Sequence, residues 1–134
     1  MAVTGSCLCG AVSFSIDPAP HAVYFCHCGQ CRKAQGTAFA ASVPVPRASF
    51  TLLTGAEQLR SYRATPPKAR WFCARCGSPL YSEVDGGDVL RVRAGALDNG
   101  QTLEAVAHIF VADRAPWYRI DDELPQYPGR EPGR

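Results

Sequence analysis

Cys7-Leu8-Cys9-Gly10 near the start of the chain and Cys73-Ala74-Arg75-Cys76-Gly77 past its middle decide how this sequence folds. Zinc favours tetrahedral thiolate coordination at about 2.3 Å, and two cysteines one or two residues apart in a tight turn aim both sulfurs at one ion. A glycine directly after each pair lets the backbone turn sharply and bring its N–H groups toward the sulfurs without a Cβ in the way. Cys7, Cys9, Cys73 and Cys76 are therefore read as one structural four-cysteine site. It closes a loop of more than sixty residues, and ligation worth on the order of 10 kcal/mol offsets much of that ordering cost. The competing reading, buried free cysteines, leaves the paired spacing without a reason.

Between these pairs stands Cys26-His27-Cys28-Gly29-Gln30-Cys31, three thiols within six residues. Three thiolates resemble a catalytic zinc site whose fourth position is left to water or substrate. Two other readings stay open: His27 or the distant His108 completes a closed structural site, or the trio holds no metal and serves as redox thiols. A strand-like backbone points His27 away from Cys26 and Cys28, which makes it a supporting or packing residue rather than a ligand. His108 shares one strand face with Val106 and Phe110 and reads as an inward-pointing, satisfied histidine more than as a base.

A divalent ion on three cysteinates carries about one net negative charge, so an anionic ligand at the open position needs a nearby cation to approach. Arg32 and Lys33, directly after the last cysteine, are the candidates. The alternative is that they form a solvated helix face, since helix geometry points neighbouring residues in different directions.

Composition narrows the class. The chain has 134 residues, 46% of them hydrophobic and 19% charged, which suits one globular domain spanning 1–134 and excludes disorder. A net charge of +2 from 14 basic and 12 acidic residues, with no Lys/Arg run, argues against nucleic acid as a partner. There is no membrane-length apolar stretch and no signal-peptide pattern, so a cytoplasmic location is expected. In that reducing compartment seven cysteines, an odd number, point to metal or catalysis rather than to disulfides. Thr4-Gly5-Ser6-Cys7 loosely matches a lipoprotein cleavage box but lacks the hydrophobic segment one requires.

Alternating runs predict a mainly β domain with at most a short helix. Strands are expected over 11–16, 22–25, 38–45, 50–53, 58–63, 70–73, 79–84, 89–94 and 105–111, and a helical turn or two over Gly29 to Gln35, closed by Gly36. Asp85-Gly86-Gly87-Asp88 reads as a hairpin turn, followed by Leu90, Val92 and Ala94 alternating with Arg91 and Arg93 on a wet face. Residues 127–134, rich in Pro, Gly and Arg, are expected to trail off as a flexible tail. Exposed edge strands would allow a homodimer as well as a monomer.

Five stretches carry a family resemblance: G-S-C-L-C-G-A-V-S-F from Gly5, C-H-C-G-Q-C-R-K-A-Q-G-T-A-F from Cys26, F-C-A-R-C-G-S-P-L from Phe72, H-I-F-V from His108 and A-P-W-Y-R-I-D-D-E-L-P from Ala115. From Gly5 to about Tyr127 the chain resembles the glutathione-dependent formaldehyde-activating enzyme family, which also includes centromere protein V. The resemblance implies the Mss4-like fold of antiparallel sheets and two zinc ions. One ion is structural at Cys7, Cys9, Cys73 and Cys76; the other is catalytic at Cys26, Cys28 and Cys31. It implies a zinc-dependent carbon–sulfur lyase-type activity, run in the direction that joins a small-molecule thiol such as glutathione to formaldehyde or another small aldehyde. Trp117, Tyr118 and Asp121 fall in the last matching stretch, where core capping is favoured over pocket lining. A non-catalytic, zinc-stabilised binding module is the competing function, and a chaperone-like or nucleotide-exchange role rests on fold alone.

Overall fold

Short apolar alternations, each stopped by Gly, Pro or Asp, become ten strands and one helix in the computed structural model, which describes residues 1–100 and 102–134. The strands are β1 (Val3–Ser6), β2 (Ser13–Ile16), β3 (Ala22–Cys26), β4 (Ala40–Pro46), β5 (Phe50–Thr54), β6 (Leu59–Tyr62), β7 (Lys68–Cys73), β8 (Pro79–Val84), β9 (Val89–Arg93) and β10 (Glu104–Ile109). The helix α1 spans Gly29–Gln35 and ends on Gly36 in the left-handed conformation, as expected. The fold is mainly β, with a three-stranded sheet ordered β1-β2-β5 and a seven-stranded sheet ordered β10-β3-β4-β9-β8-β7-β6.

Among the named strands of the described residues every pairing is antiparallel except one: β10 runs parallel to β3. A parallel pair needs a long crossover, and the chain between β3 and β10, which builds the rest of the sheet, supplies it. The Asp85–Asp88 hairpin forms as read, pairing Tyr81 with Val92 and Glu83 with Leu90. Val12, Phe14, Ile16, Val43, Val45, Leu80, Leu90 and Val92 form the main core between the sheets. A smaller cluster of Cys26, Cys31, Ala40 and Ile109, flanked by Tyr24, Phe110 and Tyr127, lies at the β10 end.

One expectation is corrected. The second face of β9 is not wet at its end: Arg93 is only 5% exposed and donates to Gln35 Oε1, Ser42 Oγ and the Arg91 carbonyl. Helix α1 covers that face through Gln35, so the guanidinium satisfies its donors inside the protein. Residues 127–134, expected as a tail, make contacts of their own with the domain. Phe110 and Val111 donate backbone N–H groups to the carbonyls of Gly129 and Tyr127, and the buried Glu131 pairs with Arg91 at 2.9 Å and Arg134 at 3.0 Å. Backbone pairing and ion pairs hold this segment, and neither leaves an apolar period in the sequence.

Gly55 shows how closely the chain ends of β2 and β5 approach within the three-stranded sheet. Its φ is +87°, and a Cβ there would lie 2.3 Å from the Ala11 carbonyl oxygen and 2.7 Å from Val12 Cα. Both obstacles are backbone, so Gly55→Ala is expected to lower unfolding stability by about 3 kcal/mol or more, measured by denaturant titration. A loss below about 0.5 kcal/mol, the size of an ordinary surface substitution, would contradict this packing.

Candidate functional site

The two glycine-terminated pairs build matching knuckles. Cys7 follows β1, Cys73 ends β7, and Gly10 and Gly77 both take φ of +79°. Their amides close the turns onto the carbonyls of Cys7 and Cys73 at 3.0 and 2.7 Å. The sulfurs of Cys7 and Cys9 are 3.6 Å apart and those of Cys9 and Cys73 3.9 Å apart, with all four within 4.8 Å of one another. A tetrahedron with bonds of about 2.3 Å has edges of about 3.8 Å, so these distances fit one zinc ion and no disulfide. The Ser78 hydroxyl and amide hold the Cys76 thiol down to about 5, in the direction metal ligation needs. The site joins the three-stranded sheet to β7 of the larger one.

The second cluster forms where a strand turns into a helix. Cys26 ends β3, Cys28 caps α1 by accepting the Cys31 amide at 3.3 Å, and Cys31 lies in the first turn. Their sulfurs lie within 4.8 Å of one another; Cys26 and Cys31 are buried and Cys28 is half-exposed. The thiols of Cys26 and Cys28 donate to Cys31, and with Arg70 and Lys68 close by, its charge is favoured well below the usual thiol range. Hydrogen bonds to Cys28 and Cys31, together with burial, hold Cys26 well above it. Three sulfurs with one accessible flank suit a thiophilic ion with a remaining coordination position.

These sulfurs open into a cavity of about 180 Å³ whose cations are Lys68, Arg70, Arg91, Arg93, Arg130 and Arg134. Among the described residues no carboxylate lines it. Both terminal nitrogens of Arg70 lie 3.9 Å from Cys31 Sγ. Burial, together with the charge of Arg70, depresses the Lys68 ammonium below its ordinary value.

With this geometry described, comparison with known proteins decides the family. A family model for the glutathione-dependent formaldehyde-activating enzyme matches residues 2–113. The chain belongs to that family. A Halomonas elongata protein named for the same enzyme family is 32% identical over 130 residues, covering 90% of this chain and 82% of its own length. A crystal structure of a Rhodobacter sphaeroides protein superposes with a TM-score of 0.59 at 25% identity, covering 72% of this chain and 88% of that one.

In this formaldehyde-activating family member, the cations that line the cavity of all three sulfurs are not the pair adjoining them in sequence. Arg32 lines a separate depression with Cys28, Gly29, Gln30, Phe110 and Asp113, and Lys33 is exposed. The facing cations come from across the sheet, where Arg70, Ser82 and Arg91 stand directly opposite one another on β7, β8 and β9. The signal was present as Lys68-Ala69-Arg70 and Arg91-Val92-Arg93, since residues two apart on a strand share a face.

Neither histidine joins a cysteine cluster. His27 Nε2 and His108 Nδ1 are 2.8 Å apart, and His108 Nε2 reaches Asp122 Oδ2 at 2.9 Å. The carboxylate only accepts, so His108 carries its proton on Nε2 and His27 donates to Nδ1. Burial and then His108 depress His27 to about 4, keeping it neutral. Both rings are fully buried supports for the cysteine loop, and the His27 amide adds a bond to the Ile109 carbonyl at 3.0 Å. Asp121, the carboxylate singled out from the sequence, instead pairs with Arg119 at the surface. Tyr118 packs on Phe39 with ring centroids 5.6 Å apart, but Trp117 is 71% exposed and caps no core. Both line a groove of about 820 Å³ that Arg93 also borders.

Proposed function

We propose that the three-cysteine centre joins a glutathione-like thiol to formaldehyde or another small aldehyde, forming a carbon–sulfur bond. The observation that carries this reading is the position of three clustered sulfurs, one half-exposed, at a cavity with six cations and no lining carboxylate among the described residues. A zinc ion bound to Cys26, Cys28 and Cys31 supplies a position at which a thiol deprotonates at neutral pH.

The remaining work falls to the chain. Arg70 and Lys68 raise the local concentration of an anionic thiol and face the side on which negative charge develops as sulfur adds to the carbonyl carbon. Arg93, fixed by Gln35 and Ser42, contributes a positive charge that cannot swing away. Arg32, which lies in the depression that Cys28 shares, is the second candidate for the alkoxide. No helix of the described residues is long and apolar enough to cross a membrane, and a site that needs reduced thiols suits the cytoplasm.

The test is exchange spectroscopy on carbon-13 formaldehyde mixed with glutathione. The metal-loaded protein is expected to speed exchange between hydrated formaldehyde and the S-hydroxymethyl adduct well above the buffer rate, and Arg70→Ala to raise the glutathione concentration needed for half-maximal effect about tenfold. Retained zinc with exchange at the buffer rate would instead support a binding module.

A further inference from the structure

The cavity beside the three sulfurs does not end at the sheet. A second cleft of about 490 Å³ adjoins it, and Lys68, Ser82, Val84, Arg91 and Arg134 line both. Arg134 belongs to the closing segment, which composition alone marks as a loose tail. Arg130, from the same segment, lines the inner cavity. The segment is fastened where the two spaces meet, through Glu131 on Arg91 and Arg134.

Charge identifies what this arrangement takes. Six cations face the inner cavity, while the adjoining cleft carries Lys68, Arg91 and Arg134 against two carboxylates, the exposed Asp88 and the buried Glu131. A divalent ion on three thiolates carries about one negative charge, so several positive charges remain unmatched. Buried or half-buried excess charge is costly unless an opposite charge arrives with the ligand. The chemistry of that ligand is also visible, because Arg91 and Arg134 already hold a carboxylate at 2.9 and 3.0 Å. The inner cavity has room for the thiol and the outer cleft for the acidic arms of the same molecule.

We infer that Arg130 and Arg134 are specificity-determining residues, forming with Glu131 a clasp that selects thiols bearing two or more carboxylates over uncharged thiols. This rests on the thiol site proposed above. Arg130 and Arg134 are exposed at the rim and meet the substrate carboxylates. Glu131 is buried and acts as a positioning residue: it holds Arg91 and Arg134 at the junction of the two spaces.

The experiment is calorimetric titration of the zinc-loaded full chain with glutathione and, separately, with 2-mercaptoethanol. Each rim cation contributes modestly in water, so the double variant Arg130→Ala/Arg134→Ala is expected to lose at least tenfold more affinity for glutathione than for 2-mercaptoethanol. It should also show a weaker salt dependence for glutathione. The double Lys variant keeps both charges and is expected to recover most of the preference, which separates charge recognition from damage to the fold. Glu131→Gln is expected to reduce the same preference with zinc content unchanged. Equal losses for both thiols, no loss for either, or a Lys variant no better than Ala would overturn the clasp. Failure of the unaltered protein to bind either thiol would overturn the thiol site on which it depends.

Discussion

Cys73→Ala is expected to leave the chain unable to fold. Cys73 is fully buried at the end of β7, and its sulfur lies 3.9 Å from Cys9 of the N-terminal knuckle. Removing it takes away one of four metal ligands and the tie between the two sheets. Structural zinc contributes on the order of 10 kcal/mol, and a domain of this size has a net stability of about 5 to 15 kcal/mol, so the loss consumes most or all of it. The amide spectrum of the variant should collapse to the narrow dispersion of an unfolded chain, and strong chelators should do the same to the unaltered protein. A dispersed spectrum with a thermal midpoint within a few degrees of the original would mean that the sheets hold without the metal.

Cys31→Ala is expected to behave differently: the fold survives and the chemistry does not. Cys31 belongs to a seven-residue helix and to the smaller cluster, and is not among the four cysteines that join the sheets. Truncating a small buried side chain of this kind costs about 1 to 2 kcal/mol, within the reach of a stable domain. The sulfur it removes is the one that both terminal nitrogens of Arg70 face at 3.9 Å. Loss of the second metal and a fall of thiol–aldehyde exchange to the buffer rate should follow, with the amide spectrum otherwise retained. Undiminished exchange in this variant would remove the three-cysteine centre from the reaction.

The cysteine clusters were legible because metal ligation by short-range pairs depends on local spacing, and both Gly10 and Gly77 adopt the left-handed turn that the spacing requires. Strands β3, β8 and β9 and helix α1 were legible because each carries its own period or cap. β1 was not, since Val3-Thr4-Gly5-Ser6 has a single large apolar side chain and is a strand only through its pairing with β2. The parallel seat of β10 is likewise set by what β3 leaves unpaired and not by its own residues.

The further cations around the sulfurs were not legible for a related reason. Adjacency along the chain favoured Arg32 and Lys33, whereas adjacency across the sheet places Arg70 and Arg91 in one row. Asp122 escaped notice beside Asp121 because only the folded chain brings it to His108. The contacts of the closing segment through Glu131 leave no mark in its composition, because Arg91 meets that carboxylate only in the folded chain.

The central claim, two metal centres of which only one is reactive, is tested most directly by native mass spectrometry of the folded chain and of Cys28→Ala, with and without glutathione. Two zinc ions per chain, falling to one in the variant, with glutathione perturbing only the ion that the variant lacks, is the predicted result. A single zinc in the unaltered chain, or two in Cys28→Ala that glutathione leaves untouched, would contradict it.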